Sequence, residues 1–212
     1  NFESPGQIAD LVQDIRALRS PPLLIAVDHE GGRVQRFRNG FTAIPPMRRI
    51  GREYDRDAES GLRAAREAGW MIGSELRSVG IDLCFAPCVD LDWGVSEIIG
   101  NRAFHNKPDV VGELAGAFSR GLRSAGMVAV GKHFPGHGDT DTDSHKTLPI
   151  ITHSQERLDT VELYPFKELI ANGLGGIMIA HLYIPAYERE EGVASTLSSN
   201  TVNGVLREKL GF

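Results

Sequence analysis

Short apolar runs alternate with amphipathic segments along the whole chain, and this alternation restricts the fold more than any other feature. Apolar residues recur at helical spacing over about residues 5–19, 58–76, 111–122, 158–170 and 202–210, which predicts helices there. The runs at residues 23–27, 81–87, 127–130 and 174–180 are short and continuously apolar, as in strands buried on both faces. Alternating strands and helices indicate a parallel sheet covered by helices.

Two architectures fit such a sheet. A doubly wound sheet usually has a phosphate-binding glycine pattern after its first strand, and the segment Glu30-Gly31-Gly32-Arg33 lacks that spacing. In a barrel, catalytic groups come from the carboxyl ends of several strands. All four predicted strands end in ionisable residues: Asp28, Asp90 with Asp92, Lys132 with His133, and His181. We therefore predict an α/β fold, a (β/α)8 TIM-type barrel, with residues 1–212 in a single catalytic barrel domain.

Four strands are too few for a closed barrel, which typically has eight strands and about 250 residues. The chain also begins directly at a predicted helix and ends at Gly211-Phe212, where the next strand would start. We therefore expect an incomplete excerpt of a barrel, without its first strand and its C-terminal strands.

Composition and charge argue against several classes of protein. The net charge of -5 is made of interspersed charges without a basic stripe, which disfavours nucleic acid as a partner. No apolar run approaches the roughly 20 residues that span a bilayer. Cys84 and Cys88 lie four apart in a predicted strand, so their Cα atoms should be about 13 Å apart at roughly 3.3 Å per residue, too far for a disulfide. A reducing compartment fits best, and we expect a cytoplasmic monomer.

The segment from Gly131 to His145 carries the densest chemistry. It holds three histidines, three aspartates and a lysine in fifteen residues, together with glycines and a proline that disfavour a regular helix. Such a group of titratable residues indicates an active site. Residues two apart in extended backbone project to the same side, so Asp143 could bond to His145 and fix its tautomer. Asp143 and His145 are therefore a candidate acid/base dyad.

A metal site is the alternative interpretation of this segment, because imidazole and carboxylate groups bind zinc. The spacing of the histidines matches no familiar zinc pattern, so we predict no metal and no cofactor. Lys132 and His133 could instead hold substrate hydroxyls at a strand end, and Asp28 could accept hydrogen bonds from a polar substrate. A metal-dependent hydrolase remains the alternative, and its metal ligands would come from His133, His137, His145, Asp139 and Asp143.

Three motifs in this order resemble glycoside hydrolase family 3. They are Val27 to Phe37, Asn101 to Phe104, and Lys132 to Thr140 continued by Asp143-Ser144-His145. The third motif is the most specific, and the match runs over essentially the whole chain. Within the family, the motifs resemble the β-N-acetylglucosaminidase branch associated with cell-wall recycling.

The resemblance implies a retaining hydrolase that removes terminal β-linked N-acetylglucosamine from peptidoglycan fragments (muropeptides), which are small carbohydrate substrates. It implies that His145 is the acid/base residue and Asp143 its partner. The family's sugar-binding residues match Asp28, Arg36, Arg102, Lys132 and His133. The family's nucleophile is an aspartate in a Ser-Asp-Asp context, which these 212 residues do not contain, so we expect it beyond residue 212.

Two further alternatives stay open. Without the nucleophile, the chain could be a sugar-binding fragment that performs no catalysis. The Gly-His-Gly loop with its Asp-Ser-His argues against an ordinary glucosidase, but it leaves phosphorolysis possible in place of hydrolysis.

Overall fold

The computed structural model describes residues 2–140 and 148–212. Its strands are β1 (Ala26–Val27), β2 (His29–Gly31), β3 (Val34–Gln35), β4 (Leu83–Cys84), β5 (Val128–Phe134) and β6 (Gly176–Ile179). Strands β1, β4, β5 and β6 form one parallel sheet in that order, and β2 pairs with β3 as an antiparallel hairpin. Because the four sheet strands are parallel, their carboxyl ends lie at the same edge.

Helices precede or follow these strands as the alternation predicts. They are α1 (Pro5–Ala17), α2 (Met47–Arg56), α3 (Ala58–Ser78), α4 (Pro108–Ser124), α5 (Gln155–Arg157) and α6 (Tyr164–Ala171). A 3-10 turn spans Gly100–Arg102, and π-helical segments span Leu158–Glu162 and Asn200–Lys209.

Local sequence signals explain where the long helices begin and end. The Ser4 hydroxyl accepts a hydrogen bond from the backbone N–H of Gln7 at the start of α1, at 3.2 Å. The Asp57 carboxylate caps α3 in the same way. Gly126, with a φ of 75°, follows α4 in the left-handed conformation that glycine adopts most easily. The helices predicted near residues 5–19, 58–76 and 111–122 are confirmed.

Several segments differ from the prediction. The strand predicted over residues 81–87 forms only at Leu83–Cys84, the one predicted over 127–130 continues to Phe134, and the helix predicted over 202–210 is π-helical. Helix α2 was not predicted because its buried face is short, with Met47 and Ile50 set among four arginines. The helix predicted over residues 158–170 is divided into a π-helical segment and α6, with Pro165 in the first turn of α6. The strand predicted over residues 23–27 is too long, because Leu23 and Leu24 are exposed and only the last two residues pair in the sheet.

Helices α3 and α4 pack with their backbones in close approach. A Cβ atom on Gly69 would lie 2.1 Å from the carbonyl oxygen of Phe118, and one on Gly121 would lie 2.1 Å from that of Arg66. Glycine therefore sets the distance between the two helices, because any side chain at these positions would force them apart.

Both cysteines, Cys84 and Cys88, are buried and unpaired, which confirms that they do not form a disulfide. Within residues 2–140 and 148–212, no helix has the length and apolar character needed to cross a bilayer. Peptide bonds are cis between Lys132 and His133 and before Pro21, Pro87 and Pro135.

Candidate active site

A cleft of about 600 Å³ lies at the carboxyl ends of the parallel strands. His181, two residues after β6, lines it, and so does His137. All five residues predicted to bind sugar also line it: Asp28, Arg36, Arg102, Lys132 and His133. The parallel sheet explains why Asp28, Lys132 and His133 converge, because the carboxyl ends of its strands meet at one edge. Arg36 instead follows the hairpin strand β3, and Arg102 lies in the 3-10 turn.

A β-bulge explains why two neighbouring residues of β5 both reach the cleft. Successive residues of a regular strand project to opposite faces, yet Lys132 and His133 both line the same space. The pairing of β5 with β6 shifts register here, so that Lys132 pairs with Met178 and Phe134 with Ile179. The extra residue is His133, and a bulge of this kind redirects a side chain.

Glu30 holds the two cations of the cleft in place. Its carboxylate accepts two bonds from Arg102, Nη2 to Oε1 at 2.7 Å and Nε to Oε2 at 2.9 Å, and also contacts Lys132 Nζ at 2.5 Å. The side chains of Glu30 and Lys132 are only 2% exposed. Lys132 Nζ also donates to Asp28 Oδ1 at 2.6 Å. Lys132 is therefore held between two carboxylates.

The environment of Glu30 keeps it ionised. Burial alone would raise the pKa of this carboxyl, but the hydrogen bonds from Arg102 and the charge of Lys132 outweigh burial and lower it. Glu30 was missed by the sequence analysis. Its position two residues after Asp28 could have indicated that Glu30 faces the same site, since alternate residues of an extended segment project to the same side.

Asp90 is fully buried and orients His133. Its Oδ2 lies 2.6 Å from His133 Nδ1, and its Oδ1 accepts the backbone N–H of His137 at 2.7 Å. Burial would raise the pKa of Asp90, but the charge that His133 carries when protonated, the hydrogen bond of its ring and the N–H of His137 lower it. The other ring nitrogen, His133 Nε2, lies 3.3 Å from Arg102 Nη2. Because a guanidinium only donates, Nε2 accepts, and a neutral His133 carries its proton on Nδ1, toward Asp90.

The described donors of the metal alternative, His133, His137 and Asp139, do not come together as a three-residue metal site. Among the described residues, the one group of three His, Cys, Asp or Glu side chains close enough to share an ion is Cys88, Asp90 and His133. Cys88 Sγ already donates to Asp90 Oδ2 at 3.3 Å, and burial raises the pKa of this thiol, which opposes the thiolate that a metal requires. Asp139 bonds instead to His153, at 2.7 Å. Of the described donors, His133 is therefore bonded to Asp90 and Asp139 to His153.

Several other polar or aromatic residues near the strand ends lie outside the cleft and contact other parts of the chain. Arg33 donates to the backbone oxygen of Glu97 at 2.8 Å, whereas Arg36 lines the cleft. Asp92 lies 3.7 Å from Arg48, and the ring of Trp93 is covered by a guanidinium 5.2 Å from its centroid. Neither Asp92 nor Trp93 lines the cleft.

The predicted acid/base dyad, Asp143 and His145, lies outside the described residues. Its assignment stays a prediction, and so do the sugar-binding roles of the five residues in the cleft. The hydroxyl of Thr140, which precedes the dyad in the sequence, lies 3.1 Å from Nδ1 of His137, and His137 lines the cleft.

Parallel strands with a polar cleft at their carboxyl ends are the arrangement expected of a β/α-barrel domain. The chain belongs to glycosyl hydrolase family 3, since residues 1–212 match the Glycosyl hydrolase family 3 N terminal domain. The predicted family and the predicted barrel-type fold are both confirmed.

Named relatives support this assignment. A beta-hexosaminidase from Thioalkalivibrio sulfidiphilus is 51% identical over 212 residues, which make up 100% of this chain and 60% of the relative. NagZ from Neisseria gonorrhoeae in complex with N-trifluoroacetyl-D-glucosamine has a TM-score of 0.95 and 43% identity, covering 100% of this chain and 62% of that one. The NagZ structure in complex with zinc ion has a TM-score of 0.94 and 42% identity, with the same coverage. The chain thus spans about 60% of the length of these relatives.

Proposed function

We propose that the protein is a retaining β-N-acetylglucosaminidase that removes terminal β-linked N-acetylglucosamine from peptidoglycan fragments. Residues 1–212 would form one catalytic barrel domain of it. The observation that carries this proposal is the cleft at the carboxyl ends of the strands, where a carboxylate, two buried cations and an imidazole converge. The relatives named beta-hexosaminidase and the NagZ complex with a glucosamine derivative support the choice of sugar.

The cleft offers what sugar hydroxyls require, namely donors and acceptors fixed before the substrate arrives. Lys132 and Arg102 are held by Glu30, so neither has to reorganise when a sugar binds. Asp28, with 36% of its side chain exposed, can accept bonds from hydroxyls while it remains paired with Lys132. Preorganised polar groups of this kind give both affinity and orientation.

The reaction we propose is a double displacement. An aspartate from outside these 212 residues attacks the anomeric carbon, the glycosidic C–O bond breaks, and His145 gives its proton to the leaving oxygen. Water then attacks the glycosyl-enzyme while His145 takes the water's proton, and the free sugar is released. Histidine suits both steps because its unperturbed pKa of about 6.5 lies near neutral pH. Asp143 would hold the imidazole in its productive orientation.

The variant His145→Gly in the full-length protein tests this mechanism. Turnover of substrates with a sugar leaving group should fall by about 10²-fold or more, because the leaving oxygen must be protonated. Aryl glycosides with acidic phenols should lose far less, since those leaving groups need little protonation. Equal loss on both substrates would contradict the acid role of His145.

His181 provides the matched comparison, because it is the histidine at the end of β6 and also lines the cleft. Its Nδ1 lies 2.6 Å from the hydroxyl of Thr196. We expect any loss in His181→Gln to be the same for both leaving groups. A loss confined to sugar leaving groups in this variant would move the acid role from His145 to His181.

Three controls on the wild-type enzyme separate the alternative functions. Activity that survives prolonged chelation would eliminate the metal-dependent hydrolase. A sugar product that carries phosphate when inorganic phosphate is supplied would indicate phosphorolysis. Binding of N-acetylglucosamine without turnover of either substrate class would indicate a sugar-binding protein.

We also infer a cytoplasmic monomer. The two unpaired thiols, Cys84 and Cys88, support a reducing compartment because both are buried and neither forms a disulfide. Fractionation of cells and light scattering of the purified full-length protein test the compartment and the oligomeric state.

A further inference from the structure

A cluster of three side chains ties together the two segments that flank residues 141–147. Asp139 precedes this stretch, and its Oδ2 accepts hydrogen bonds from His153 Nε2 at 2.7 Å and from Arg157 Nη2 at 3.2 Å. His153 and Arg157 both follow the stretch. Because a carboxylate only accepts, the proton of the shorter bond lies on His153 Nε2. We refer to Asp139, His153 and Arg157 as the root clamp.

The side of the root clamp that precedes the stretch is fixed to the wall of the cleft. A Cβ atom on Gly138 would lie 2.0 Å from the carbonyl oxygen of Leu91, so the two backbones are in direct contact. The backbone N–H of His137 donates to the buried carboxylate of Asp90. The backbone that leads into Asp139 is therefore held by the carboxylate of Asp90, which also orients His133.

The side that follows the stretch is fixed to the chain after β6. The backbone N–H of Ile151 donates to the carbonyl oxygen of Tyr183 at 3.0 Å, and the N–H of Tyr183 donates to that of Pro149 at 2.9 Å. Arg157 lies over the ring of Trp93 and also contacts Glu162 Oε1 at 3.3 Å. The root clamp thus joins two anchored segments.

We propose that the root clamp positions the acid/base histidine, an inference that rests on the proposed function. Asp139 lies four residues before Asp143, and His153 lies eight residues after His145. A bond between the two ends restricts the conformations open to the chain between them. Because a misplacement of about 1 Å can reduce a rate about 100-fold, we expect loss of the root clamp to slow the step assigned to His145.

The test compares leaving groups in the full-length protein. In Asp139→Asn and His153→Ala, we expect kcat on a substrate with a sugar leaving group to fall by about 10- to 100-fold, and kcat on an activated aryl glycoside to fall by less than about 3-fold. In His153→Gln, whose amide can still donate to Asp139, most of the lost activity should return. A His153→Gln variant as impaired as His153→Ala would count against the clamp.

A second His–Asp pair in the chain supplies the matched control. His105 Nε2 lies 2.9 Å from Asp55 Oδ1, on elements that do not flank residues 141–147. Asp55→Asn should change kcat on both substrates by the same factor. Any destabilisation should appear as a lower unfolding temperature. A leaving-group-dependent loss in Asp55→Asn as large as that in Asp139→Asn would overturn the proposal.

The decisive measurement adds His153→Ala to a protein that already carries His145→Gly. If the root clamp acts through His145, the second change should cost no further kcat on the sugar leaving group, because effects of residues that act as a unit are not additive. A full additional loss, or equal losses on both substrates in the single variants, would refute the clamp while leaving the proposed function intact. A wild-type protein inactive on both substrates would refute the proposed function and the clamp with it.

Discussion

The most direct perturbation of the cleft is Glu30→Gln, which keeps the shape of the side chain and removes its charge. Glu30 accepts from Arg102 through both of its oxygens and contacts Lys132, and all three side chains are at most 11% exposed. After the change, Lys132 would keep its bond to the carboxylate of Asp28, whereas Arg102 would lose the carboxylate that it binds directly. An amide also offers only one acceptor oxygen, so one of the Arg102 bonds is lost.

The size of the stability loss in Glu30→Gln depends on which charged groups lose their partner. Breaking a buried ion pair by removing one partner costs about 3–5 kcal/mol. Two contacts reduce this figure here, since Lys132 keeps its 2.6 Å bond to Asp28 and the new amide oxygen can still accept one bond from Arg102. We therefore expect the free energy of unfolding to fall by about 2–3 kcal/mol. No further reduction for solvent screening is needed, because solvent screens buried charges little.

Urea unfolding of the full-length protein, with and without the substitution, measures this loss. Glu53→Gln is the control, because Glu53 is 44% exposed and its 3.7 Å contact with Arg56 is a surface pair. Its effect should stay below about 0.5 kcal/mol. A loss in Glu30→Gln of less than about 1 kcal/mol, or one equal to the control, would refute the view that Glu30 neutralises the two cations.

The remaining predictions concern pH and packing. The pKa of Glu30 is lower in the folded protein than its unfolded value of about 4.5, so ionised Glu30 stabilises the fold above that pH. This contribution is lost as the pH falls through the lowered pKa of the folded protein. Stability measured by urea should therefore fall less between pH 7 and pH 3 in Glu30→Gln than in wild type, and equal falls would contradict the assignment. Gly69→Ala should destabilise by about 1–3 kcal/mol through its clash with the Phe118 carbonyl, despite the better helix propensity of alanine. Gly116→Ala, whose Cβ meets only the end of the Arg120 side chain at 3.4 Å, should be neutral or stabilising in the same thermal or urea unfolding assay.

Helices with a long stretch of regularly spaced apolar residues were predictable from sequence, and short elements were not. Helices α3 and α4 bury a continuous face, so their spacing alone revealed them. Helix α2 buries Met47 and Ile50 beside the neighbouring glycine, and its stability comes from packing on α3, which local spacing does not encode. The strand prediction failed at Leu23 and Leu24 because pairing within the sheet, rather than hydrophobicity, decides where a strand begins.

The cleft followed from a topological rule, but its internal pairing did not. Once strands are parallel, ionisable residues at their ends must meet, and this brought Asp28, Lys132 and His133 together. The role of Glu30 depends on its burial against Arg102, 72 positions away, which no local pattern indicates. The bond between Asp139 and His153 is likewise a tertiary contact, formed by segments whose sequences read as polar loop.

The pairing within the cleft also limits which groups can carry the chemistry. Glu30 and Asp90 have lowered pKa values, so neither carboxyl holds a proton to donate near neutral pH. His133 has both ring nitrogens engaged, and burial lowers the pKa of His137, which favours its neutral form. The three paired groups, Glu30, Asp90 and His133, are therefore poorly placed to donate a proton. The leaving-group comparison between His145 and His181 is the experiment that tests which histidine performs the proposed acid step.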